Sequence, residues 1–131
     1  MRVLVNTCIW SHVLRHKKPD ADLSGKLNEI IKDGRVVMIG PIRQELLSGI
    51  SETSQFKKLR DKLSFFEDLP LVSAYFVKAA EFCNICRKKG LQGSTTDFLI
   101  CAISSLQKLQ IFTDDKDFIN YKKHLPIHLY K

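Results

Sequence analysis

The apolar positions of this chain follow two rhythms: short unbroken runs, and longer stripes at helical spacing. Val3-Leu4-Val5 is the first run, with β-branched ends. That pattern predicts a strand buried on both faces, as in a parallel sheet. Asn6-Thr7 stops it and supplies cap chemistry for a helix carrying Ile9, Trp10, Val13 and Leu14. A basic, Pro-containing loop (Arg15 to Asp20) follows, and Asp20 or Asp22 can cap the next helix. Leu23, Leu27, Ile30 and Ile31 then fall on one helical stripe, which Gly34 ends. Val36-Val37-Met38-Ile39 predicts a second buried strand. Gly40-Pro41 breaks it, and Pro41 suits the start of a helix carrying Ile42, Glu45 and Leu46 to Ser48-Gly49.

Glu52 to Asp68 predicts another helix, with Phe56, Leu59, Leu63 and Phe66 on one face and Lys57, Lys58, Arg60 and Lys62 on the others. Leu71-Val72, after Pro70, reads as a short strand. Tyr75, Ala79, Phe82, Cys83 and Cys86 form the stripe of a helix over 74–90, expected to lie antiparallel to helix 52–68 beside the sheet. Ser94-Thr95-Thr96-Asp97 is a capping sequence ahead of Phe98 to Ile103, which is apolar all round and so predicts a buried helix. Gln110-Ile111-Phe112-Thr113 predicts a strand, Asp114 to Phe118 opens a short helix, and Ile127-His128-Leu129 predicts the last strand. Alternating strands and helices argue for an α/β fold with a parallel sheet flanked by helices.

Composition narrows the class. The chain has 131 residues, 44% of them hydrophobic, which fits one domain over 1–131 with a real core. No run of about 20 apolar residues predicts a membrane span. Met1-Arg2-Val3 leads straight into the strand, so no secretory signal is expected and a cytoplasmic chain is. The formal charge of +7 favours a nucleic acid or an acidic protein as partner. Basic groups at 15–18, 57–62 and 87–89 are candidates for phosphate contact, and each also reads as a solvated helix end or face. Cys83-x-x-Cys86 lacks the second pair a zinc site needs, so Cys8, Cys83, Cys86 and Cys101 read as reduced, mostly core residues. His12, His16, His124 and His128 are scattered, with no nucleophile paired to any.

The candidate chemistry is acidic. Glu45 lies one turn into a helix, Asp97 opens the buried helix, and Asp115 follows a strand by two residues, with Asp117 two further on. Parallel strands bring their carboxyl ends to one edge, where ligands of open α/β sheets bind, and Asn6 ends the first strand there. Taken singly, Asp97 is a favourable first-turn residue, Glu45 a solvated helix residue, and the acids at 114, 115 and 117 turn chemistry. Taken together, clustered carboxylates repel one another unless a cation sits between them, and hard oxygen donors suit Mg²⁺ or Mn²⁺. Such a metal activates water at a phosphodiester, and a basic surface holds the anionic backbone.

Four segments taken in order resemble the PIN domain, most closely the VapC-type toxins of toxin–antitoxin modules. They are Val3-Leu4-Val5-Asn6-Thr7, Pro41 to Leu46, Thr96 to Ala102, and Thr113 to Phe118. The resemblance covers nearly the whole chain. It implies a three-layer α/β/α sandwich around a parallel sheet and a Mg²⁺- or Mn²⁺-dependent endoribonuclease acting on structured RNA, with transfer RNA the expected substrate. It also implies a cognate VapB-type antitoxin and a homodimer. Glu45 matches the family's helical acid, Asp97 the acid before the buried helix, Asp115 the acid of the Thr-x-Asp turn, and Asp117 an additional acid of some members. The implied catalytic set is Asn6, Glu45, Asp97 and Asp115, and the implied metal donors are Asn6, Asp97, Asp115 and Asp117.

Asn6 departs from the family, which carries Asp at the end of the first strand. An amide oxygen still ligates a cation, but one negative charge is lost, so weaker metal binding and attenuated activity are expected. The conservative swap favours an engineered, host-tolerated toxin over natural loss in a degenerate member, although the sequence leaves both open. Cys8 stands where small hydroxyl residues are common in the family. Two rival readings remain: a catalytically degenerate PIN-like module that binds RNA or antitoxin, and a receiver-like or phosphatase-like domain. The amide of Asn6 cannot serve the second as phosphoryl acceptor.

Overall fold

The computed structural model describes residues 1–131. The elements are β1 (Val3–Val5), α1 (Thr7–Arg15), α2 (Ala21–Lys32), β2 (Val36–Val37), α3 (Gly40–Leu47) and α4 (Thr53–Leu63), followed by α5 (Ser73–Lys88), α6 (Thr95–Gln107), β3 (Gln110–Phe112), α7 (Asp117–Lys122) and β4 (His128–Leu129). The four strands form one sheet in the order β2-β1-β3-β4, parallel throughout. Val3 pairs with Val36 on one side of β1 and with Gln110 on the other. β1 is thus an inner strand, and Val3, Leu4 and Val5 are fully buried, as an unbroken apolar run requires. The chain leaves β1 to one side for β2 and returns to the other side for β3. α1 to α4 pack on one another and α5 on α6, which gives the α/β/α layering that the sequence predicts. No helix is long and apolar enough to cross a membrane.

α6 is the central support of the core. Phe98 to Ser104 are buried without a break. Each fully buried large apolar side chain contributes about 1.5–3 kcal/mol. Ser104, the one polar member of that run, donates to the carbonyl of Leu109 at 2.6 Å and so leaves no unpaired hydroxyl. Lys108 closes the helix in the left-handed region at φ 56°, which turns the chain directly into β3.

The structure corrects several boundaries. α5 packs along α6 rather than against α4, and α4 lies on α3. An all-apolar helix needs cover on the side away from the sheet, and α5 provides it with Tyr75, Phe82 and Cys86. α4 ends at Leu63, five residues short of the predicted Asp68. Arg43 of α3 braces the chain at this break. Its guanidinium donates to the carbonyl of Leu63 at 2.9 Å, to that of Phe66, and to Asp68 Oδ1 at 2.9–3.0 Å. Leu71-Val72 is not a strand, since Val72 is the extended residue that leads into α5. The extra pairing comes earlier: Met38 bridges Asp68, and the Leu69 N–H donates to the Met38 carbonyl at 2.8 Å. Pro70, which has no N–H, stops it there. β2 and β4 are one or two residues shorter than predicted, and β3 ends at Phe112.

Candidate active site

Asn6 ends β1 and caps α1, and only 6% of it is exposed. Its Oδ1 accepts the Thr7 N–H at 2.8 Å, and its Nδ2 donates to Thr113 Oγ1 at 3.0 Å. Thr113 follows β3, so this bond joins the carboxyl ends of the two neighbouring strands. The Thr113 hydroxyl also accepts the Asp115 N–H at 3.1 Å and lies 3.3 Å from Cys8 Sγ. Two donated N–H groups fill its lone pairs, which leaves its own proton for the sulfur. Burial pushes the Cys8 thiol up, a hydrogen bond to the Asp114 carboxylate adds to this, and the bond from Thr113 opposes it. Cys8 thus lies within hydrogen-bonding reach of Thr113 at the border of the site.

The acids arrive on separate elements. Glu45, near the end of α3, is exposed, and its Oε1 accepts the Thr7 hydroxyl at 2.8 Å. Asp97 sits at the third position of α6 in a reciprocal capping box. Its N–H donates to Ser94 Oγ at 3.1 Å, and its carboxylate takes the Ser94 N–H at 3.3 Å. The Asp115 carboxylate accepts the N–H of Asp117 at 2.9 Å, and α7 starts at Asp117 rather than at Asp114. Burial raises the pKa of Asp97. The nearby Asp115 and Glu45 carboxylates raise it further, and the bonds from Ser94 oppose the shift. Tyr121 is pushed well above its ordinary range by burial and then by the fields of Asp97, Asp117 and Asp115. Its hydroxyl donates to the Gln92 carbonyl at 2.8 Å, ahead of the α6 cap.

Asp97, Asp115 and Glu45 thus share one electrostatic neighbourhood, which Asn6 borders through Thr113 and Thr7. Asp117 is exposed and lies at its outer edge. No three acidic, cysteine or histidine side chains converge closely enough to enclose an ion by themselves. The donor set still fits a Mg²⁺-like ion, which keeps several waters and needs only one or two carboxylates. An acid held part-buried within the field of other carboxylates is one whose charge a cation would offset. Thr7 and Thr113 are the positioning residues that sequence reasoning missed. Both stand in segments that carry the resemblance, but their contacts to Glu45 and Asn6 lie 38 and 107 residues away and no local pattern predicts them.

The chain belongs to the PIN domain family, whose model matches residues 3–124. No curated protein sequence matches it significantly. Among solved structures, it is similar to FitAcB from Neisseria gonorrhoeae, at 18% identity and a TM-score of 0.79, over 98% of this chain and 96% of that one. It is also similar to VapBC2 from Rickettsia felis bound to a DNA fragment from the promoter, at 20% identity and a TM-score of 0.76, over 99% and 98%. A third likeness is to DNA-bound VapBC from Salmonella typhimurium, at 13% identity and a TM-score of 0.73, over 99% and 97%. At these identities the likeness speaks for the fold.

Proposed function

We propose that this chain is a Mg²⁺- or Mn²⁺-dependent endoribonuclease of the VapC toxin type. The observation that carries the reading is that Asp97, part-buried at the start of α6, lies within the field of Asp115, which follows β3, and of Glu45 on α3. Asp97, Asp115 and the Asn6 amide oxygen are the metal donors, with Asp117 at the rim. Glu45 completes the catalytic set, and Thr7 orients it. When bound, a divalent cation there lowers the pKa of a coordinated water and offsets charge developing at the phosphodiester. The protein's own contribution is positional. Thr113 fixes Asn6 and the Asp115 turn, and the Ser94 box fixes Asp97. Structured RNA, with transfer RNA first, is the substrate this reading carries over from the family.

The partner in this reading is a VapB-type antitoxin, since similar structures bear the VapBC name. A homodimer and a cytoplasmic setting belong to the same reading. A degenerate, RNA- or antitoxin-binding module is the second reading, and Asn6 is the observation that favours it. The deciding experiment compares RNA cleavage by this chain and by Asn6→Asp, each with Mn²⁺ and with chelator. The expected result is weak metal-dependent cleavage by the chain as it stands and cleavage at least about tenfold faster by the variant. Two folded proteins that neither cut RNA nor bind Mn²⁺ establish the second reading instead.

A further inference from the structure

We propose that the concave surface between α1 and α4 is the track that holds the RNA phosphate backbone beside the acid site, an inference that rests on the nuclease reading. A cleft of about 540 Å³ lies there. Arg15 lines it from α1, Lys58 and Lys62 line it from α4, and Leu14, Ile50 and Leu59 supply its apolar surface. Phosphate binding draws on positive charge that the protein has not already neutralised, because displaced counterions drive it. The chain's ion pairs are Lys26–Asp22, Arg35–Asp33, Arg43–Asp68, Arg60–Asp61 and Lys78–Glu81. None uses Arg15, Lys58 or Lys62. The one carboxylate in the lining, Glu52, is spent on the start of α4, where it accepts the N–H groups of Ser54 and Gln55 and the Ser54 hydroxyl.

Two further features bear on the cleft. Lys58 and Lys62 stand at i and i+4, a like-charge spacing that costs a helix stability. No acid in the cleft relieves it, so the spacing fits an anion from outside. Arg15 is held in place, with its guanidinium donating at 2.7 Å to the carbonyl of Leu46, the residue after Glu45. The cleft therefore borders the C-terminal end of α3, the helix that carries Glu45. The basic group at 87–89 offers no comparable track. Arg87 borders a groove lined by Phe76, Phe98 and Leu99, which suits an apolar occupant.

The test measures binding of a fluorescein-labelled RNA hairpin in chelator, so that cleavage plays no part. The cleft variant is Lys58→Glu/Lys62→Glu, at two exposed positions whose reversal leaves the core untouched. The control is Arg2→Glu/Lys32→Glu, the same charge change at exposed positions by the opposite edge of the sheet. The cleft variant is expected to bind about tenfold or more weakly at low salt and to lose about 1.5 to 2 from the slope of log K against log salt. The control is expected to stay near wild type. Equal weakening in both variants overturns the proposal, since affinity then follows net charge. Unchanged binding in the cleft variant overturns it as well. If the cleft variant alone loses binding, yet neither the chain nor Asn6→Asp cuts RNA with Mn²⁺, the cleft stands and the nuclease reading falls.

Discussion

Asp97 carries a conflict between stability and chemistry. Burial and two nearby carboxylates make its charged form unfavourable in the folded protein. An acid whose folded pKa lies above its unfolded value destabilises the fold at neutral pH, because the folded state resists the charge that the unfolded chain accepts. Asparagine at this position keeps an oxygen for the Ser94 N–H and removes that charge. Asp97→Asn is therefore expected to raise the Tm in chelator while lowering Mn²⁺-dependent cleavage by about 100-fold or more. Calorimetry with and without Mn²⁺, beside the cleavage assay, reads both. A variant that loses stability in chelator makes Asp97 a structural cap and nothing more. Asn6 is the milder form of the same bargain. Its amide satisfies Thr7 and Thr113 together, whereas a buried carboxylate there needs a cation to offset its desolvation. At this scale the acids were legible because each sits at an element junction. Thr7 and Thr113 were not, because a hydroxyl's role is set by what folding brings opposite it.

The elements holding the site depend on close approaches that composition does not reveal. Gly93 precedes the Ser94 cap of α6, and a Cβ built there overlaps the Tyr121 hydroxyl and crowds the Phe98 ring at 3.1 Å. That hydroxyl ties α7 to the 92–94 turn through Gln92. Gly93→Ala must displace Tyr121, break this tie and disturb the capping box that orients Asp97. The expected cost is about 1–3 kcal/mol. It appears as a lower urea midpoint at unchanged m-value, with cleavage reduced in folded protein. An unchanged midpoint means the 92–94 turn yields freely and does not position the site. The same reasoning explains which elements could be read in advance. α6 was plain because an unbroken apolar run has few ways to fold. The end of α4 was hidden because the Phe66 stripe continues past Leu63, while Arg43, 20 residues away in sequence, takes the Leu63 carbonyl where the helix ends. The partner of α5 was hidden too, since periodicity gives a face without saying what it meets.

At the scale of the molecule, one surface is at odds with a basic, water-facing chain. Phe76 and Val77 of α5 are 51% and 60% exposed. Phe76 stands over a groove lined by Ala80 and Cys83 of α5 and Leu99 of α6. A large aromatic left this open beside further apolar surface is the kind of anchor that dominates association energies. If the chain pairs with itself, this groove is the face expected to meet the second copy. Phe76→Glu puts a charge at its centre without touching the acids or the cleft between α1 and α4. Sedimentation equilibrium on the wild type is expected to give a mass near twice 15.1 kDa, and the variant is expected to dissociate at least about tenfold more readily. Because Phe76 is half exposed, the variant's thermal midpoint is expected to stay close to wild type once the dimer's own contribution is removed by dilution. A wild type that sediments as a monomer, or a variant that still pairs, assigns this face to something other than a second copy.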